Sequence, residues 1–247
     1  MKKQSILTSL VCIIAVALLL DSCTPTEKGS NSYKVAYKGA LKNAMFKGDL
    51  SAKIDLSDLK ENPHLYALGA FESLKGEVQI FDSKPFNTSV EDGALVIDQS
   101  FGKKATLLVY ASVEKWQNIA LPDSIVTYEQ YEVFVEFIAN EYHLDTNEPF
   151  PFMLMGEIQS FDWHVINWQD GDTEHSHEKH RTSGLYGTLE NQDVDILGFY
   201  SNAHHGIFTH HTTNMHMHVK TTDNLLAGHL DDMTLGSGMI LKLPKIN

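Results

Sequence analysis

Asn214-Met215-His216-Met217-His218-Val219 is followed by Gly228-His229-Leu230, the first His of the pair lying two residues before the second. Side chains alternate faces along an extended strand, so His216 and His218 point to one side. Asp223-Asn224 between the two segments suits a two-residue hairpin turn. A hairpin closed there opposes Thr222 to Leu225 and, further out, His218 to His229. Directly opposed residues share a face with Cβ atoms roughly 5 Å apart. His216, His218 and His229 then converge, as three ligands of a divalent metal must. Three protein ligands with an open position is the pattern of a catalytic zinc site, although imidazole also suits iron, copper and nickel. A divalent metal, Zn2+ first, is therefore the expectation. Against it stands the ordinary role of a histidine as a surface or satisfied core residue.

The rest of the chain must build the strands that carry this hairpin. Gly76–Phe81, Ala94–Asp98 and Thr106–Tyr110 are short β-rich runs between turn signals. One helix is expected at Tyr128–His143, with Tyr128, Tyr131, Phe134, Val135, Ile138 and Tyr142 as its apolar stripe. Thr127 and Gln130 give it a capping box. After Pro149 and Pro151 come Phe152–Ile158, Phe161–Trp168, Ile196–Tyr200, the histidine hairpin and Met239–Leu243. Strands, a helix, then strands again predict an α+β fold with mixed or antiparallel β-sheets and few helices. A division into two subdomains near residue 150 is compatible with this order.

The N-terminus reads as a processing signal. Lys2 and Lys3 precede an apolar run from Leu10 to Leu20, which is short for a bilayer span. Leu19-Leu20-Asp21-Ser22-Cys23 resembles a bacterial lipoprotein cleavage site. That resemblance implies a signal peptide over 1–22 and a lipid on Cys23. A flexible tether would cover 23–36 and a single folded domain 37–247. The protein would be exported and lipid-anchored to a bacterial membrane, periplasmic or at the cell surface. Cys12 leaves with the signal and Cys23 is committed to lipid, so no disulfide or thiolate ligand remains. The net charge of −13 becomes −14 once Lys2, Lys3 and Asp21 are removed. Such acidity argues against nucleic acid as a partner. It leaves the oligomeric state open.

Nine of the 13 histidines lie between His175 and His218, so the hairpin is not the only imidazole-rich segment. His175, His177 and His180, with the pairs His204-His205 and His210-His211, read either as a second metal site or as polar loops lining a cleft. The stretch His175–His180 has no strand pattern to bring its side chains together.

At the hairpin, and at two further motifs, the chain resembles the alpha-acetolactate decarboxylase family. His216-x-His218 and Gly228-His229 match the family's zinc ligands near the C-terminus. Gly69-Ala70-Phe71-Glu72-Ser73-Leu74-Lys75-Gly76-Glu77 resembles its Gly-Thr-Phe-x-x-Leu-x-Gly-Glu, whose last residue is an active-site carboxylate, here Glu77. Leu197-Gly198-Phe199-Tyr200 is similar as well, and the likeness runs from about Leu41 to Leu243. Three departures stand out. Ala70 occupies the threonine position, His164 falls where the family carries an arginine, and no acidic residue follows Asp232.

The resemblance implies metal-dependent decarboxylation of α-acetolactate, or another small 2-hydroxy-3-oxo acid, to acetoin and CO2. A divalent cation on the hydroxyl and carbonyl oxygens would act as the Lewis acid that stabilises the enediolate. Glu77 is then the candidate for metal contact or proton handling, and His164 for the orienting role of the arginine. Read without the family, Glu77 is a solvent-facing strand residue and His164 a core or cleft histidine. A lipid-anchored binding protein that kept the metal hairpin without turnover is the second function reading. A cupin-type oxygenase ranks last, because Val219-Lys220-Thr221-Thr222 supplies no glutamate after the His-x-His.

Overall fold

Short runs rich in Val, Ile, Leu and Tyr, each cut off by Gly, Asp or Pro, favour strands throughout. A computed structural model of the chain describes residues 33–246. The expected signal peptide, the lipid site at Cys23 and the tether up to residue 32 lie outside the described residues. The first part of the fold comprises β1 (Val35–Lys38), α1 (Leu41–Lys47), β2 (Ile54–Asp55), β3 (Leu65–Phe71), β4 (Glu77–Phe81) and β5 (Lys84–Pro85). It continues with β6 (Asn87–Glu91), β7 (Ala94–Asp98) and β8 (Lys104–Ser112). Then follow β9 (Trp116–Ala120), α2 (Tyr128–Glu141), β10 (Phe150–Val165), α3 (His177–Thr182) and β11 (Leu185–Tyr200). The chain ends with β12 (Met215–Thr221), β13 (Ala227–Thr234) and β14 (Ile240–Pro244). β1 overlaps the expected tether of 23–36, because Tyr33 is buried and Val35 already pairs with Ala111.

These strands make two antiparallel sheets, as the α+β reading expects. The first runs β1-β8-β3-β4-β6-β7, with β2 on β8 and β5 on β4. The second runs β11-β12-β13-β10-β14-β9, and β10 also pairs with β11. That extra pairing closes β10, β11, β12 and β13 into a ring. The 16-residue β10 achieves it by using both edges. One edge bonds to β11 along its length, and the other bonds to β14 at Met153–Met155 and to β13 at Ser160–His164.

The chain passes from the first sheet to the second between Ser112 and Trp116, ahead of residue 150. A single hydrophobic cluster joins Leu68 and Val109 of the first sheet to Phe152, Ile196 and Leu230 of the second. Helix α2 packs on that cluster through Tyr131, Val135 and Ala139, and its Thr127–Gln130 capping box is formed. It stops at Glu141, two residues short of the expected end; His143 takes a left-handed φ of 61° instead.

Gly198 lies opposite Phe152 in the pairing of the two longest strands, β10 and β11. A β-carbon at Gly198 would lie 2.1 Å from the Phe152 ring. Gly198→Ala should therefore destabilise the fold by about 1–3 kcal/mol, the usual range for overpacking. Chemical denaturation of the two proteins checks this, and equal midpoints would refute it.

Candidate metal centre

The hairpin forms in the expected register. His218 pairs with His229, Val219 with Gly228 and Lys220 with Ala227. Alternation along β12 sends Met215, Met217 and Val219 into the core and His216 and His218 to the opposite face. His216 Nε2 lies 3.2 Å from His229 Nδ1 and 3.3 Å from His218 Nε2. A tetrahedral ion with bonds of about 2.0–2.1 Å holds its ligand nitrogens roughly 3.3 Å apart, so this donor set fits one divalent metal. Burial is the main reason the three imidazoles stay uncharged: it pushes His216 down to about 3, and His218 and His229 well below the ordinary range. Neutral imidazoles offer the lone pairs that ligation needs.

The first sheet fixes which nitrogen His218 offers. Gln79, fully buried on β4, donates its amide hydrogens to the Phe86 carbonyl at 2.5 Å and Thr88 Oγ1 at 3.2 Å. Its oxygen therefore faces His218 Nδ1 at 2.9 Å and accepts a hydrogen bond from it. With the proton on Nδ1, Nε2 carries the lone pair toward the other two histidines. Outer partners of this kind are worth about 10–100-fold in metal affinity. Gln79→Leu should weaken metal binding by that factor in a chelator competition, and an unchanged affinity would remove Gln79 from the centre.

Glu77 shares a face of β4 with Gln79 because the two are two residues apart. It is buried, not solvent-facing, with a relative exposure of 4%. Val78 and Ile80 point the other way, into a second cluster with Leu56 and Leu59. The motif ending at Glu77 is the connection between β3 and β4, where Ala70 opposes Glu77 and the Phe71 amide donates to Gly76 oxygen. Gly76 has a φ of +146°, and a β-carbon on it would fall 2.2 Å from the Thr88 carbonyl oxygen. The close approach of β6 thus requires glycine beside the carboxylate.

Glu77 Oε1 accepts a hydrogen bond from the Ile166 amide at 3.1 Å, tying the first sheet to the end of β10. Its Oε2 faces His218 Nε2 at 3.8 Å. Desolvation pushes the Glu77 carboxyl up to about 7, against the lowering effect of His164 and the Ile166 amide.

His164 sits on β10 directly opposite His229 of β13, with ring centroids 4.7 Å apart. Its Nε2 is 3.9 Å from Glu77 Oε1, and its Nδ1 is 2.8 Å from an Asp231 carboxylate oxygen. Asp231 is the extra residue of a β-bulge: Leu230 pairs with Trp163 and Asp232 with Asp162, leaving it without a partner strand residue.

All five residues singled out from the sequence, Glu77, His164, His216, His218 and His229, thus gather at the junction of the two sheets. Four of them, all but the fully buried His218, line a cavity of about 80 Å³, a size that admits a small molecule. Ala70 and Leu74 supply part of its apolar wall, and Lys38 is its one lysine.

His177, His180 and His210 also line this cavity, so part of the remaining histidine-rich sequence forms a wall of the same cleft. His177 and His180 come from α3, capped by Ser176, where the sequence offered no strand pattern. Burial pushes His180 and His210 down to about 4. His180 Nε2 contacts His175 Nδ1 at 2.9 Å, while His204 bonds Ser201 and stacks on Phe208. Among the described residues, potential ligand atoms gather only at His216–His218–His229 and at His164–His229–Asp231. Gln79 and Asp231 were missed in the sequence: each is two residues from a recognised site residue on the same strand, but the partner each one meets comes from a distant strand.

The alpha-acetolactate decarboxylase family matches residues 36–245. No protein with a curated description matches the sequence. Among solved structures, an alpha-acetolactate decarboxylase from Bacillus subtilis shares 16% identity over 86% of each chain, with a TM-score of 0.66. An acetolactate decarboxylase from Bacillus subtilis subspecies spizizenii shares 15% identity over 85% of each chain, with the same TM-score of 0.66. A Staphylococcus aureus protein of unknown function, described as similar to alpha-acetolactate decarboxylase, shares 16% identity over 84% of each chain, with a TM-score of 0.64.

Proposed function

Because the chain belongs to the alpha-acetolactate decarboxylase family, we propose that it decarboxylates a small 2-hydroxy-3-oxo acid. α-Acetolactate is the first candidate, with acetoin and CO2 as products. The observation that carries the proposal is a buried carboxyl, Glu77, 3.8 Å from His218 of the three converging imidazoles and lining one small cavity with the other two.

His216, His218 and His229 would hold a divalent ion, zinc first. Such an ion supplies a Lewis acid against the negative charge that builds as CO2 leaves. The chain's own residues do the rest. Departure of CO2 leaves an electron pair that must be protonated on carbon, one proton for each CO2 released. Glu77 is the proton carrier, since a carboxyl near 7 is partly protonated at neutral pH and can both give and regain a proton. His164 presents Nε2 next to Glu77 and orients the substrate's oxygens. Ala70, Leu74 and the neighbouring apolar wall limit the water that would compete for those contacts. Export and a lipid on Cys23 belong to the same proposal and would place this reaction at a bacterial membrane surface.

The purified protein should contain one equivalent of metal and convert racemic acetolactate to acetoin, with CO2 release lost on chelation. Stoichiometric metal without product above the metal-stripped control would sink the enzyme reading. It would support the second one, a non-catalytic lipid-anchored binder of metal or a small ligand. One observation favours that second reading. Arg181, the chain's only arginine, lies on α3 paired with Glu178 and outside the cavity lining.

A further inference from the structure

We propose that Asp231 is a positioning residue of this site. It holds His164 so that Nε2 faces Glu77 in the cavity, and the Asp231–His164 pair occupies the place where the family resemblance puts an arginine. For its substrate this rests on the decarboxylase reading. The pair itself rests on geometry alone.

Both Asp231 oxygens lie within hydrogen-bond reach of His164 Nδ1, at 2.9 and 2.8 Å. Each side chain is only 7% exposed, so neither group has water as a ready substitute partner. The carboxylate can only accept, so Nδ1 carries the hydrogen and donates it. The ring's remaining nitrogen, Nε2, is then the one left for the cavity, 3.9 Å from Glu77 Oε1. That gap is too long for a direct hydrogen bond, and an oxygen of substrate or water set to one side of it can reach both groups.

Strand geometry makes this arrangement specific. His164 lies opposite His229, and Asp231 follows two residues later as the bulged residue of β13. Bulges re-aim side chains beside functional sites. The result is an acceptor placed at the back of His164, with the cavity at its front. Lys38 is the one lysine of the lining and no arginine joins it, so a substrate carboxylate meets mainly imidazoles here. An imidazole has two ring nitrogens and rotates freely, whereas a guanidinium presents a fixed fork of donors. A partner behind the ring supplies the orientation that an arginine carries in its own plane.

The test uses the full chain labelled with 15N-histidine, in wild type, His164→Gln, Asp231→Ala and Asp231→Asn. In metal-free protein, long-range 1H–15N spectra should show a protected, far-downfield Nδ1 hydrogen that is lost in His164→Gln and Asp231→Ala. With metal restored, Asp231→Ala should keep stoichiometric metal and lose about 10–100-fold in kcat, the range for removing such a supporting partner. Asp231→Asn, whose amide oxygen still accepts from Nδ1, should recover much of that loss.

The proposal is overturned by a downfield signal that persists in Asp231→Ala, or by an Asp231→Ala enzyme with wild-type kcat. If Asp231→Ala fails to fold, Asp231→Asn and the wild-type spectrum decide, and absence of the signal from wild type is equally fatal. A wild-type protein that releases no CO2 from acetolactate removes the decarboxylase reading. The positioning role in turnover falls with it, and the spectra still decide whether the pair exists.

Discussion

Replacing His218 with alanine is expected to remove metal and turnover together. His218 is the fully buried member of the triad, and its Nε2 stands 3.3 Å from His216 Nε2 and 3.8 Å from Glu77. Gln79 commits its Nδ1 hydrogen, so Nε2 is the lone pair that the substitution removes. Structural zinc sites bind with about 10–16 kcal/mol over four ligands, so one ligand is worth roughly 3 kcal/mol. Affinity should therefore fall by at least about 10²-fold. The substitution also leaves the Gln79 oxygen buried without a donor, which costs about 1–3 kcal/mol more in fold stability. Chelator competition and elemental analysis measure the first effect and denaturation the second. His204→Ala is the control, because His204 bonds Ser201 and stacks on Phe208 instead of joining the triad. A His218→Ala protein holding metal as tightly as wild type would disprove the hairpin site.

That site was legible because it is local. A period of two, a turn dipeptide and three histidines fix the register of β12 on β13 from within a span of fourteen residues, His216 to His229. The turn could not slip without moving every histidine to the core face. The supporting contacts are another matter. Gln79 meets His218 across 139 positions of sequence, and Asp231 meets His164 across 67, and nothing local encodes either pairing. Strand lengths show the same limit. Sequence pattern marks β11 only at its apolar end, Ile196–Tyr200, yet the strand begins at Leu185. Its polar half, Gly187–Gln192, has no fully buried side chain and is held in the sheet by its pairing with β10, which skips only Asn191 at a left-handed φ of 52°. Tertiary pairing overrides weak local preference there. Helix α3 is short, and it is a serine cap, not an apolar stripe, that starts it.

Glu77→Gln should keep the metal and lose the chemistry. The amide has nearly the shape of the carboxyl, and its oxygen can still accept from the Ile166 amide, so the first sheet stays docked on β10. It cannot carry a proton. General acid–base groups contribute about 10²–10⁴-fold, and a loss of that size in kcat at unchanged metal content is the expected outcome. Wild-type turnover in Glu77→Gln would exclude Glu77 as the proton carrier.

The same substitution has an opposite effect on stability, with a sign set by burial. Glu77 in the metal-free protein is raised from 4.5 to about 7, so between those values the folded state binds a proton that the unfolded chain has released. Stability contributed by the protonated carboxyl is thus fully present below pH 4.5 and is lost as pH rises to about 7. The loss amounts to ~3 kcal/mol, at 1.36 kcal/mol per unit. Glutamine has no charge to bury, so metal-free Glu77→Gln should match wild type near pH 4.5 and exceed it at pH 8. Parallel denaturation curves at the two pH values decide. Equal stabilities at pH 8 would mean that Glu77 ionises without penalty, and the case for a carboxyl poised to donate at neutral pH would go with it.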